Sequence, residues 1–191
     1  MMRMFVAVRP PAGALDDLDA FLEPRRAAGH GLRWTRPHQW HLTLAFLPRV
    51  DERRLDELRG RLADGAERAA PFEVRIGGAG AFPEASAARV LWLGVPAEAA
   101  ERLTSLAVVS RNAASVSGIP VEGQRFHPHL TVARLGRRTE ATRWLRVLDT
   151  YAGPAWTADE LVVVESHPGA HGQTGARHEV RAAVTLDGAA P

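Results

Sequence analysis

His41-Leu42-Thr43-Leu44 recurs as His129-Leu130-Thr131-Val132, at an offset of 88 (129 − 41). Each copy alternates polar and apolar residues with the period of a strand. Histidine and threonine, two apart, therefore share one face, and their apolar neighbours share the other. The helix, strand, helix, strand order around both copies predicts an α+β fold of two similar lobes rather than a parallel doubly wound sheet. If the two polar faces meet, they enclose two imidazoles and two hydroxyls. That set suits phosphoester cleavage: a neutral histidine takes a proton from attacking water, and a protonated one gives a proton to the leaving alkoxide. The threonine hydroxyls can donate to the phosphate oxygens, where charge must be held in the transition state. One His-x-Thr is an ordinary strand fragment. Two copies with matching apolar neighbours in matching elements point to a site.

On either side of the motifs the chain reads as follows. Met4-Phe5-Val6-Ala7-Val8 is a first strand that ends before Pro10-Pro11, and the run is too short for a signal peptide. Leu15, Leu18, Phe21 and Leu22 predict a helix over 14–28, closed by Gly29 and Gly31. The first motif lies in a predicted strand over 40–46, stopped by Pro48. A helix over 51–69 follows, with Leu55, Leu58 and Leu62 facing inward. Strands are predicted over 72–76 and 90–95, joined by a Gly- and Ala-rich connection, 77–88. Pro96 opens a helix to about Val116, with Leu103, Leu106 and Val109 on one face. The second motif lies in a predicted strand over 126–133, followed by a short helix over 140–148. Strands over 161–164 and 180–186 flank a loop over 166–176 rich in His, Gly and Pro.

Composition narrows the chemistry. The 191 residues contain no cysteine and no lysine, so all 24 basic side chains are arginine. Disulfides, thiolate nucleophiles, Schiff bases and the lysine of a Walker-type phosphate loop are excluded. Proton transfer near neutral pH falls to the eight histidines. The pI near 10.2 reflects the shortage of groups titrating between histidine and arginine, since the formal charge is only +2. No apolar run approaches the ~18 residues of a membrane helix. A single domain over 1–191, built of two similar lobes, is expected to be a soluble, cytoplasmic monomer.

With its flanks, the repeated motif resembles the 2H phosphoesterase superfamily, in particular the RNA 2′,3′-cyclic phosphodiesterases, also called 2′-5′ RNA ligases. The resemblance runs through Met4–Val8, Arg33-Trp34, His41–Leu47, Gly80-Ala81-Phe82-Pro83, Arg89–Trp92, Phe126–Arg134 and Leu161–Ser166. It implies a bilobal, pseudo-twofold fold with two mainly antiparallel sheets facing a central cleft and helices outside. It also implies hydrolysis of a ribose 2′,3′-cyclic phosphate to a 2′-phosphate without metal or other cofactor. In that comparison His41 is the proton donor to the departing 3′ oxygen, and His129 is the proton acceptor from water. Thr43 and Thr131 hold the phosphate, and Arg134 matches a position that helps neutralise it. Running the reaction backwards exchanges the two histidine roles. The implied partner is RNA ending in a 2′,3′-cyclic phosphate, or a small cyclic nucleotide. A non-catalytic RNA-binding module is the rival reading.

Arg134 lies five residues after His129, so strict alternation points it to the opposite face; a phosphate role requires a bulge or the strand end. His127 and His38 invite a zinc reading. Structural zinc recruits thiolates, absent here, and catalytic zinc wants three protein ligands; His127 is read as rim and His38 as surface. His167, His171 and His178 fall in or beside the Gly/Pro loop and are read as mobile surface, with a role in closing over substrate as the alternative. Trp34, Phe46 and Trp92 are read as core aromatics, with stacking on a base as the alternative. Arg33, Arg36, Arg125, Arg137 and Arg138 flank the motifs and would attract RNA backbone if they line the cleft.

Overall fold

The computed structural model describes residues 1–123, 125–169 and 176–188. Its strands are β1 (Met2–Val8), β2 (Leu32–Trp34), β3 (Leu42–Val50), β4 (Phe72–Val74), β5 (Gly77–Phe82), β6 (Ala88–Gly94), β7 (Leu130–Thr139), β8 (Trp156–Ala158), β9 (Glu160–His167) and β10 (Arg177–Thr185). The helices are α1 (Ala12–Arg26), α2 (Leu55–Ala66), α3 (Ala97–Val116) and α4 (Thr142–Leu148). Two four-stranded antiparallel sheets result, in the orders β10-β9-β1-β3 and β2-β7-β6-β5, with β4 and β8 forming a small ribbon. This is the expected α+β arrangement. The two halves of the chain interleave, because β2 joins the second motif's sheet while β9 and β10 join the first motif's.

The apolar run of β1 explains its central place. Met4, Val6 and Val8 face the main core, whereas Phe5 and Ala7 pack with Val162 and Val164 on the opposite face. Both faces are buried, so the strand has no polar alternation. Helices α2 and α3 back the first sheet, with Leu58, Leu62, Leu103 and Leu106 buried. Near the second sheet, α4 lies against β5, and α1 reaches the residues after α4 through Phe21, 4.8 Å from the Tyr151 ring.

Several element bounds differ from those the sequence predicts. Pro48 does not stop β3, which runs to Val50. The strand is at the sheet edge, and its ladder with β1 shifts between the Met2↔Val50 and Met4↔Leu47 pairs. Proline is tolerated there because that position needs no ladder N–H. The expected connection over 77–88 is instead β5, ending at Phe82, followed by a 3-10 turn at Ala85–Ala87. Its glycines are structural: Gly78 takes φ +73° at a bulge, and the Trp92 ring lies so close over Gly80 that a Cβ would come 2.0 Å from it. The expected helix over 51–69 is a 3-10 turn, Glu52–Arg54, followed by α2; the Asp51 carboxylate accepts the Arg53 N–H at 3.1 Å. Strand β7 begins at Leu130, after Pro128, and continues through Gly136 to pair Thr139 with Ala88. Finally, β9 extends into the expected loop as far as His167, and β10 begins at Arg177 rather than at 180, leaving His178 on a strand.

Candidate active site

The repeat is visible in the backbone as well as in the side chains. Leu42 and Leu130 begin β3 and β7, so each histidine stands one residue before its strand rather than inside it. Beyond the threonines the ladders skip one residue. Thr43 and Ala45 pair with consecutive residues of β1, Ala7 and Val6, and Thr131 and Ala133 with consecutive residues of β6, Trp92 and Leu91. Leu44 and Val132 are the extra residues, and both are buried. A bulge of this kind turns the third residue after the threonine onto the threonine's own face. That residue is Phe46 in β3 and Arg134 in β7.

His41, Thr43, Phe46, His129, Thr131 and Arg134 line one cavity of about 540 Å³. All five side chains singled out by sequence are therefore brought together, with Arg134 delivered by the bulge that its odd offset required. Arg33, Trp34, Thr35, Gln39 and His178 also contribute to the wall, and among the described residues no acidic side chain does.

The two imidazoles are held alike. Nδ1–H of His41 donates to the Gln39 carbonyl at 2.7 Å, and Nδ1–H of His129 donates to the His127 carbonyl at 2.7 Å. A carbonyl can only accept, so both rings are fixed as Nδ1–H tautomers and the free nitrogen is Nε2. Aromatic rings steady them: Phe5 stacks on His41 at 4.3 Å, and Phe82 meets His129 edge-on at 4.9 Å. Burial, followed by the nearby His178, pushes the His41 pKa down to about 3. Burial also lowers His129, with His127 and Arg134 adding to the shift against the opposing backbone hydrogen bond. Both rings are neutral at neutral pH in the free protein.

Thr35, which the sequence reading passed over, couples the two motifs. Its hydroxyl donates to the Thr131 carbonyl at 2.7 Å and accepts the Trp40 indole N–H at 2.7 Å, next to His41. His178 was also missed as a site residue. Instead of lying in a loop, it projects from β10 with its ring 5.3 Å from His41, edge-on. Burial lowers its pKa too, ahead of the effects of His38 and Arg9. Phe46 could have been found by carrying the 88-residue offset back from Arg134.

Other expectations separate. Trp34 and Phe46 face the cavity, whereas Trp92 lies beside it against Phe82 and His127. Of the flanking arginines only Arg33 lines the cavity; Arg36, Arg125, Arg137 and Arg138 are exposed elsewhere. His127 and His38 are exposed, and among the described residues no three His, Asp or Glu side chains converge as metal ligands. His167 sits 3.4 Å from Glu179 and 3.7 Å from Glu165, and His171 lies outside the described residues. Among the described residues no helix is long and apolar enough to cross a membrane.

A sequence profile described as "2′-5′ RNA ligase superfamily" matches residues 14–170. A protein of Aquifex aeolicus named RNA 2′,3′-cyclic phosphodiesterase is 36% identical over 54% of this chain, a stretch that spans 55% of that relative's length. One of the same name from Thermus thermophilus is 34% identical over 86% of this chain and 82% of its own length. The crystal structure of TT0787 of Thermus thermophilus superposes with a TM-score of 0.75 and 28% identity, covering 98% of this chain and 99% of that one.

Proposed function

Because this chain belongs to the 2′-5′ RNA ligase superfamily, we propose that it hydrolyses RNA 2′,3′-cyclic phosphate ends to 2′-phosphates by a two-histidine mechanism without metal. Water attacks phosphorus while Nε2 of His129 removes its proton. The bond from phosphorus to the 3′ oxygen breaks, and Nε2–H of His41 supplies the proton that the departing oxygen needs. The ring states are then exchanged, and solvent restores them. The hydroxyls of Thr43 and Thr131 and the guanidinium of Arg134 hold the oxygens on which charge develops.

The observation that carries this reading is the matched pair of Nδ1–H···O=C bonds, which leaves two Nε2 atoms as the free nitrogens of one cavity. The low pKa of His41 adds a condition. Its acid form is scarce in the free protein, so the anionic cyclic phosphate must raise the pKa on binding. A 5′-hydroxyl replacing water at the same phosphorus would give ATP-independent 2′-5′ joining, and water's excess favours hydrolysis. In this reading residues 1–191 act in the cytoplasm as one monomeric catalytic unit. That each sheet takes strands from both halves of the chain supports the single unit.

Turnover of a cyclic-phosphate oligonucleotide by the wild type, H41A and H129A, each with and without EDTA, tests the proposal. Each substitution should cost about 10²–10⁴-fold in rate, and EDTA should change nothing. EDTA-sensitive activity would refute it. So would RNA binding that survives both substitutions in a protein with no turnover, the signature of a binding module.

A further inference from the structure

The wall of the cavity carries more positive charge than one cyclic phosphate needs. Arg33 in β2 is the direct cross-strand partner of Arg134 in β7, and both side chains line the cavity. Directly opposed residues have Cβ atoms only about 4.5–5.5 Å apart, and like charges at such positions are destabilising. Among the described residues neither guanidinium forms an ion pair, and no carboxylate faces the cavity. Two unneutralised arginines side by side fit a wall that receives more than one negative charge. A 2′,3′-cyclic phosphate is a monoanion, and the two histidines, the two threonines and Arg134 already converge on it.

The position of Arg33 says where the second charge sits. Strand β2 is the sheet edge, one strand beyond β7 and on the far side from β6. It therefore lies about 4.8 Å outward from the strand bearing Thr131 and Arg134. Arg33 and Arg134 project from neighbouring strands into one cavity, so their guanidinium groups can hold two neighbouring anionic groups along its wall. The cavity volume of about 540 Å³ leaves room beyond the terminal ring, with Trp34 and Phe46 offering aromatic faces on its wall.

We infer that Arg33 forms a second phosphate subsite, which binds the phosphodiester immediately 5′ of the nucleotide carrying the cyclic phosphate. The inference rests on the phosphodiesterase reading above and sharpens its substrate class. The preferred substrate is an oligonucleotide end, and a mononucleoside cyclic phosphate fills only half of the charged wall. The contact is charge-assisted and specifies no base.

The test compares adenosine 2′,3′-cyclic phosphate with the dinucleotide ApA ending in 2′,3′-cyclic phosphate, which adds one phosphodiester. Wild type, R33A, R33K and R134A are assayed for kcat/KM on both. Calorimetry gives Kd for the corresponding 2′-phosphate products. The wild type should prefer the dinucleotide. R33A should reduce dinucleotide kcat/KM about ten- to a hundredfold, with far less effect on the mononucleotide, so that the preference collapses. R33K should restore part of it, and R134A should depress both substrates. Equal losses on both substrates in R33A would overturn the subsite by placing Arg33 on the reacting phosphate. No loss on either would overturn it as well. Should the wild type turn over neither substrate while R33A still weakens dinucleotide binding selectively, the phosphodiesterase reading falls and the subsite stands.

Discussion

Replacing Thr35 by valine removes one hydroxyl while keeping the branched shape of the side chain. That hydroxyl uses both of its hydrogen-bonding capacities, accepting from the indole of Trp40 and donating to the carbonyl of Thr131, each at 2.7 Å. Trp40 is only 2% exposed, so water cannot readily take the place of the lost acceptor. A buried donor left without a partner costs about 1–3 kcal/mol. For a chain of this size that corresponds to a fall of roughly 2–12 °C in Tm. The damage is also directional: Trp40 precedes His41, and the carbonyl belongs to Thr131, so the two motifs lose a shared anchor. Thermal melting and kcat should therefore fall together in T35V, while T35S, which keeps the hydroxyl, stays close to wild type. A T35V protein that melts with the wild type would show that the hydroxyl anchors nothing. T35S behaving like T35V would be equally damaging, since the methyl rather than the hydroxyl would then matter.

The histidine shifts set a pH profile. Imidazolium at His41 in the free protein is lost as pH rises through about 3, and at His129 as pH rises through a value below 6.5. Between those points the pair holds one titrating proton, which in the free protein sits on His129. The productive form with the proton on His41 rises and falls with pH in the same way, so kcat/KM should peak below pH 6.5. The kcat profile should lie at higher pH, because the bound anion favours imidazolium; kcat/KM still climbing from pH 6.5 to 8 would contradict this. Substituting Gly80 by alanine sets a Cβ 2.0 Å from the Trp92 ring, which must move, and with it the support of His127. Overpacking of that kind costs about 1–3 kcal/mol, visible as a lower Tm, whereas an unchanged melting curve would show that the contact is not tight.

The parts of the molecule legible in sequence were those where one periodicity serves one purpose. The His-x-Thr copies stand out because alternation and the 88-residue offset coincide, and β1 stands out because both of its faces are buried. The strand β5 was illegible because its glycines read as a connection. Their purpose, to lie beneath Trp92, exists only once β6 is paired beside them. Three-residue β2 carries no period at all, yet it supplies Arg33, Trp34 and the segment leading to Thr35. Pro48 misled for a related reason, since an edge strand with a bulge tolerates what a central strand refuses. His178 looked like loop because Gly and His precede it, and only pairing with β9 brings it beside His41. Function-bearing residues on short or irregular pieces are placed by tertiary pairing, which local pattern does not encode.

The identity of the product is the sharpest test of the proposed chemistry. An RNA oligonucleotide ending in a 2′,3′-cyclic phosphate is incubated with the protein, and the monophosphate isomer is assigned by phosphorus NMR. Conversion to a 2′-phosphate is expected, with turnover collapsing in H41A and H129A. A 3′-phosphate, or an unchanged cyclic end, would mean that the two histidines do not perform this reaction.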